Sequence, residues 1–235
     1  MVVPLSSIPP SRNGFYAINN QFLANGPKGF SEFKMLENED MFIRIDLPGV
    51  PENGVRVTVD PTKKAVSVMA DAPKEHRYDS SPRNYGSCTG LVCTCCQISA
   101  VASHMSDGVL RLLVSKTRAK TQSPSCIDPA LTGRVLQPHP CVNLGSAMAY
   151  ESKRLSNGSL YVRVDMPGVP SDRFTVSAEN GRVMVTGEAP AVSHDSGGRY
   201  YSGDVAILSG ATSIPIRKIK AIAKNGVIRL IIPPV

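Results

Sequence analysis

The stretch Phe42-Ile-Arg-Ile-Asp-Leu-Pro-Gly-Val-Pro51 decides the fold, because it returns as Tyr161-Val-Arg-Val-Asp-Met-Pro-Gly-Val-Pro170. The match extends outward at a constant offset, with 11 identities in 26 positions between residues 32–57 and 151–176. Further on, Asp107-Gly-Val-Leu-Arg-Leu112 returns as Asn225-Gly-Val-Ile-Arg-Leu230, at an offset one residue shorter. Self-similarity of this kind marks a duplicated structural unit. Two units of about 85 residues account for the 235-residue chain better than one large domain, and each suffices for a small core.

The physics inside each copy is that of β-structure. Met41, Ile43, Ile45 and Leu47 alternate with Phe42, Arg44 and Asp46, the two-residue period of a strand. Leu47-Pro48-Gly49-Val50 and Met166-Pro167-Gly168-Val169 follow as turns, proline presetting φ and glycine accepting the positive φ that comes next. Val55, Val57 and Val59 then alternate with polar residues, as do Phe174, Val176 and Ala178. Asn180-Gly181 joins two such runs in the second copy, a strong hairpin signal, whereas Pro61-Thr62-Lys63-Lys64 stands there in the first. Asp107-Gly108 links the runs Ile98–Met105 and Val109–Val114, and Asn225-Gly226 links Ile216–Ala223 and Val227–Ile232. Short strands with frequent turns and no helical period predict an all-β chain of two tandem immunoglobulin-like β-sandwiches. The expected organisation is a poorly ordered N-terminal tail over 1–29, a first domain over 30–115, a Pro-rich linker over 116–148 and a second domain over 149–235.

Composition narrows the function. There are 19 Gly, 19 Pro and no Trp, and the longest apolar runs fall far short of the roughly 20 residues of a membrane helix. The first ten residues lack a basic stretch ahead of an apolar core, so no secretory signal is expected, and six cysteines then point to a reducing compartment, the cytoplasm or nucleus. The net charge of +7 is dispersed: residues 1–29 carry +2, 30–114 carry −2, 115–149 carry +3 and 150–235 carry +4. The densest basic group, Arg217, Lys218, Lys220 and Lys224, reads as a solvated strand edge, so neither nucleic acid nor membrane is an expected partner.

No constellation of residues supports catalysis. Asp195-Ser-Gly-Gly198 is similar to a serine-protease motif but lies in a polar loop without a histidine base in context, and reads as a flexible turn. Cys88, Cys93, Cys95 and Cys96, with His104 following, are the weak metal candidates; their spacing departs from the paired cysteines of zinc sites, and they read as small core-filling residues. Asp46 and Asp165 are expected to accept backbone hydrogen bonds beside their turns. No phosphate-binding loop occurs, and no cofactor is expected.

Taken in order, these motifs resemble the small heat-shock protein (alpha-crystallin) family, in a tandem, plant-type arrangement. The second copy carries Asp165, Pro167 and Gly168, then Val183-Met-Val-Thr-Gly187-Glu188, then Asn225-Gly226-Val227 and a last strand before Pro233. The first carries Asp46, Pro48 and Gly49 and then Gly108 and Val109, but Ala70-Asp71 replaces the Gly-Glu pair, so this copy is the more degraded. The resemblance implies a non-enzymatic, ATP-independent holdase that binds partly unfolded client proteins, with self-association or intramolecular pairing of the two domains. Three features depart from the plant-type pattern: the loops before Tyr85 and Tyr200 are short, no basic pair resembling the family's arginine signature stands between Tyr200 and Ile214, and no isoleucine-x-isoleucine latch follows the last strand. A short-looped sandwich is also similar to the CS-domain co-chaperones, so the alternative is a non-chaperone interaction module or adaptor.

Overall fold

The computed structural model describes residues 20–91, 95–118, 139–208 and 214–234, and the backbone at 16–18 and 134–136. Among these, the strands are β1 (Tyr16–Ile18), β2 (Leu23–Asn25), β3 (Ser31–Met35), β4 (Met41–Asp46), β5 (Val55–Val59), β6 (Ala65–Ala72), β7 (Arg83–Gly90), β8 (Cys96–Ser106) and β9 (Val109–Arg118). They continue with β10 (Arg134–Leu136), β11 (Val142–Leu144), β12 (Tyr150–Arg154), β13 (Leu160–Asp165), β14 (Phe174–Glu179), β15 (Arg182–Ala189), β16 (Arg199–Ile207), β17 (Lys220–Lys224) and β18 (Val227–Ile232). Four antiparallel four-stranded sheets form two sandwiches, and β1 pairs with β10 in a separate parallel ribbon.

In the first sandwich, the sheet β3-β4-β9-β8 faces β11-β7-β6-β5. Ile43, Ile45, Leu110 and Leu112 from one sheet meet Val66, Val68, Ala70 and Tyr85 from the other in the core. The second sandwich repeats this with β12-β13-β18-β17 against β14-β15-β16-β2, where Val162, Val164, Ile228 and Leu230 meet Val183, Val185 and Tyr201. Alternating apolar residues build these cores as period two requires.

The sheets do not respect the order of the chain. β2 lies ahead of the first copy but pairs with β16 of the second, Leu23 standing opposite Tyr201. β11 lies ahead of the second copy but pairs with β7 of the first, Val142 standing opposite Tyr85. Part of the range read as tail and part of the range read as linker therefore serve as exchanged edge strands. Each covers an otherwise open strand edge and satisfies its backbone groups, as in Ser202 N–H to Phe22 O (2.7 Å) and Gly86 N–H to Cys141 O (2.8 Å).

Two local readings are corrected. The run expected to be strand from Ile216 begins as a 3-10 turn, Ile216–Lys218, behind Pro215, and the strand starts at Lys220; proline removes a ladder donor at that entry. The alternation along β4 does not separate a buried face from an exposed one: Phe42, Arg44 and Asp46 are buried along with Ile43 and Ile45. The second copy covers the first three of these, as described next.

Candidate interaction interface

The duplicated Asp-x-Pro-Gly turns meet across an approximate two-fold axis, and each is held by residues of the other copy. Gly49 adopts φ +90° and its N–H donates to Asn225 O (2.8 Å); Gly168, also at φ +90°, donates to Asp107 O (2.7 Å). The two closing hairpin turns press together at the same place, Gly108 against the Asn225 carbonyl and Gly226 against the Asp107 carbonyl. A Cβ at either glycine would strike backbone, so the duplicated Gly-Val after each turn serves this contact as well as a positive φ. Val109 and Val227 begin the buried strands behind them.

Buried charge pairs flank the turns. Arg83 Nη1 and Nη2 donate to the Asp165 carboxylate at 2.6 and 3.1 Å, and Arg199 Nη1 donates to Asp46 at 2.6 Å. Burial works against the charge on Arg83 and on Arg199, but the facing aspartate outweighs it and holds each guanidinium above its ordinary value. Tyr85 and Tyr201 donate to the carbonyls of Pro48 (2.7 Å) and Pro167 (2.8 Å), so each Asp-x-Pro-Gly turn also receives a tyrosine of its own copy. Burial pushes both phenols up, keeping them neutral donors.

The loops between β6 and β7 and between β15 and β16 reach over the outer sheet face of the other copy. Arg44 stands directly opposite Arg111 in the β4–β9 ladder, and Arg163 opposite Arg229 in β13–β18. Like charges opposite each other are destabilising in a sheet unless an acid intervenes. Asp46 lies 3.2 Å from Arg44 and Glu151 3.2 Å from Arg163 within each copy, and the other copy supplies the acid for the facing Arg111 and Arg229. Asp195 accepts Arg111 Nε and Nη2 at 2.9 and 2.7 Å and lies 3.8 Å from Arg44, while Asp79 accepts Arg229 at 3.1–3.2 Å and the Tyr161 hydroxyl. Desolvation raises both carboxyls, but the arginine hydrogen bonds prevail and hold each below the ordinary carboxylate range. Next to them, Ser80 donates to Glu151 (2.6 Å) and Ser196 to Glu32.

The Asp195-Ser-Gly-Gly198 loop, read as a flexible turn, thus supplies an interface carboxylate, and Asp195 faces two arginines. The remaining motif residues play a packing part. Gly187 lets β15 approach Met166, where a Cβ would lie 2.9 Å from the sulfur, and Glu188 is exposed with its N–H on Arg173 O. The cysteines do not converge: Cys88 is exposed on β7, Cys95 is half-buried, Cys96 is buried at the start of β8, and Cys93 lies outside the described residues. His104 is exposed on β8, and among the described residues no three metal-binding side chains come together. Between the two turns a crevice lined by Asn20, Asp46, His139 and Asp165 has room for about one water molecule, so this is an interaction surface and not a ligand pocket.

Sequence reasoning missed Arg83, Arg199, Asp79 and the two exchanged strands. The signal for the arginines is present: Arg83-Asn-Tyr85 and Arg199-Tyr-Tyr201 repeat with the same spacing at the start of the equivalent strands β7 and β16.

The family described as "Predicted plant small heat shock protein" matches residues 2–235. The chain belongs to the plant small heat shock protein family. A curated relative, "Putative 57 kDa heat shock protein" of Arabidopsis thaliana, is 35% identical over an alignment of 300 residues covering 85% of this chain and 56% of that protein. The chain thus spans little more than half of this heat shock relative. Among solved structures, the CS-b5R domains of human Ncb5or (NAD+ form) align at 10% identity with a TM-score of 0.28, covering 88% of this chain and 61% of that one, too remote a likeness to argue from. Membership in the family fits the β-sandwich architecture, and among the described residues no helix is long and apolar enough to cross a membrane.

Proposed function

We propose that this small heat shock family member is an ATP-independent holdase whose working unit is the paired copies within one chain, acting in the cytoplasm or nucleus without catalysis or a cofactor. The observation that carries this reading is a division of surfaces. The turns, loops and exchanged strands of the two copies are engaged with each other, while apolar side chains remain exposed elsewhere on each sandwich. In the second sandwich these are Ile207, Ile216 and Ile222, and in the first Val59 and Met69. Exposed apolar groups on a fold whose pairing surfaces are already covered are available to partly unfolded clients. The charged residues around them, Lys220 and Lys224 beside Ile222, oppose sheet-edge aggregation.

The test is light scattering from two unrelated heat-labile enzymes, each with and without an equimolar amount of the protein and without ATP. Suppression of both is expected. Suppression of neither would overturn the holdase and favour a docking module for one partner.

A further inference from the structure

The two exchanged arms, residues 20–26 and 139–145, share one backbone path and differ in side-chain size in opposite senses. Leu23 faces Tyr201 and Asn25 faces Tyr200, just as Val142 faces Tyr85 and Leu144 faces Asn84. At the first inward position the arms carry Phe22 and Cys141, both buried. Under Phe22 the receiving strand has Gly203, where a Cβ would come within 2.5 Å of the ring. Under Cys141 the equivalent residue is Ser87, whose hydroxyl hydrogen-bonds the thiol.

Two positions along each arm the order reverses. Asn143 occupies the space above Gly86, so any Cβ at Gly86 would collide with its amide. The equivalent arm residue is Ala24, and the equivalent strand residue is Ser202. Large meets glycine and small meets serine at both positions, with the sense inverted between the two slots. Placing the first arm on β7 would set Phe22 against Ser87 and leave Ala24 above Gly86. Placing the second arm on β16 would leave Cys141 above Gly203 and set Asn143 against Ser202. Each wrong placement misfits the buried slot, Phe22 overlapping Ser87 or Cys141 leaving a void above Gly203, and a tightly packed interior tolerates neither. The outer slot, where Ala24 and Asn143 are exposed, adds a clash or a lost contact.

We propose that these four contacts form a size code by which a copy of the first kind pairs only with a copy of the second kind, its partner in this chain. Like-with-like pairing, and folding of either arm back onto its own copy, are both mismatched. The code does not depend on the holdase reading, because it concerns which copies pair and not what they bind.

The experiment uses the full chain and hydrogen exchange. The Gly86 amide reports seating of the second arm, and the Gly49 and Gly168 amides, which donate across the axis, report pairing itself. Cys141→Phe should speed Gly86 exchange by about tenfold, and Cys141→Phe with Ser87→Gly should bring it back to within about threefold of wild type. A second set exchanges both arms (Phe22→Cys, Ala24→Asn, Cys141→Phe, Asn143→Ala) and should lose protection at Gly49 and Gly168. Exchanging the slots as well (Gly86→Ser, Ser87→Gly, Ser202→Gly, Gly203→Ser) should restore it. The proposal is overturned if adding Ser87→Gly leaves the Cys141→Phe defect undiminished, or if the arm-exchanged chain keeps its cross-axis protection. It is also overturned if the chain with both arms and slots exchanged fails to regain that protection.

Discussion

At the level of single residues, the arms are pinned by two chemically different groups doing one job. Asn20 Nδ2 donates to Asp165 O (2.6 Å) while its Oδ1 accepts the Phe22 N–H (3.0 Å). His139 Nε2 donates to Asp46 O (2.6 Å) while Nδ1 accepts the Cys141 N–H (3.3 Å). The second pattern requires a neutral imidazole, because a protonated ring has no acceptor. Burial lowers the His139 pKa; Asp46 and Asp165 favour the charged ring but do not offset burial, and Arg83 adds to it. A histidine depressed below its unfolded value contributes stability above about pH 6.5 and loses it as pH falls toward the folded value. Mild acid should therefore loosen residues 139–145 before 20–26, read as faster exchange at the Gly86 amide than at the Ser202 amide below about pH 6. His139→Asn should remove that difference while leaving the arm seated at neutral pH. Equal acid sensitivity of the two arms in wild type would refute the assignment.

At the level of elements, the loops matter because each completes the pairing of two arginines for which their own copy supplies one acid, Asp46 beside Arg44 and Glu151 beside Arg163. Asp195→Asn strips Arg111 of its carboxylate and leaves Asp46 as the acid beside Arg44 across β4–β9, and breaking a buried pair from one side costs about 3–5 kcal/mol. A thermal melt should show a drop of several degrees or more for this variant. Replacing the set by apolar residues, Asp195→Leu with Arg44→Met and Arg111→Leu, should cost less than the single change, because no charge is stranded. A single change that leaves the melt unmoved would mean the pair is not buried in solution. The same contrast explains what was legible beforehand. Strands and turns were readable because Met41 to Leu47 and Leu47-Pro48-Gly49 declare themselves through neighbours in sequence. The need for an acid opposite Arg44 and Arg111 was not, because Asp195 lies 84 residues beyond Arg111. Leu23–Asn25 and Val142–Leu144 were hidden for a related reason: three residues carry no period, and their strand character comes entirely from β16 and β7. The shortness of the two loops also misleads, since a loop needs only enough length to carry one aspartate over the neighbouring sheet.

At the level of the whole molecule, the exchanged arms make each half of the chain an integral part of the other sandwich. A protease site placed between residues 119 and 133 would leave β2 with the N-terminal half and β11 with the C-terminal half, each still inserted in its partner. The cut halves should co-migrate on a sizing column at neutral pH, and also in 1 M salt, because pairs such as Arg83–Asp165 and Arg111–Asp195 are only a few per cent exposed and barely screened. Acid acts differently. Asp79 and Asp195 are held below their unfolded values, so the stability they contribute is present above about pH 4 and is lost as pH falls through the folded values. The halves should then separate as the pH drops below about 4, with residues 139–145 already loosened by protonation of His139. Separation at neutral pH would show that the covalent connection, and not the interface, keeps the copies together; co-migration well below pH 4 would show that turn and arm contacts suffice without the carboxylates.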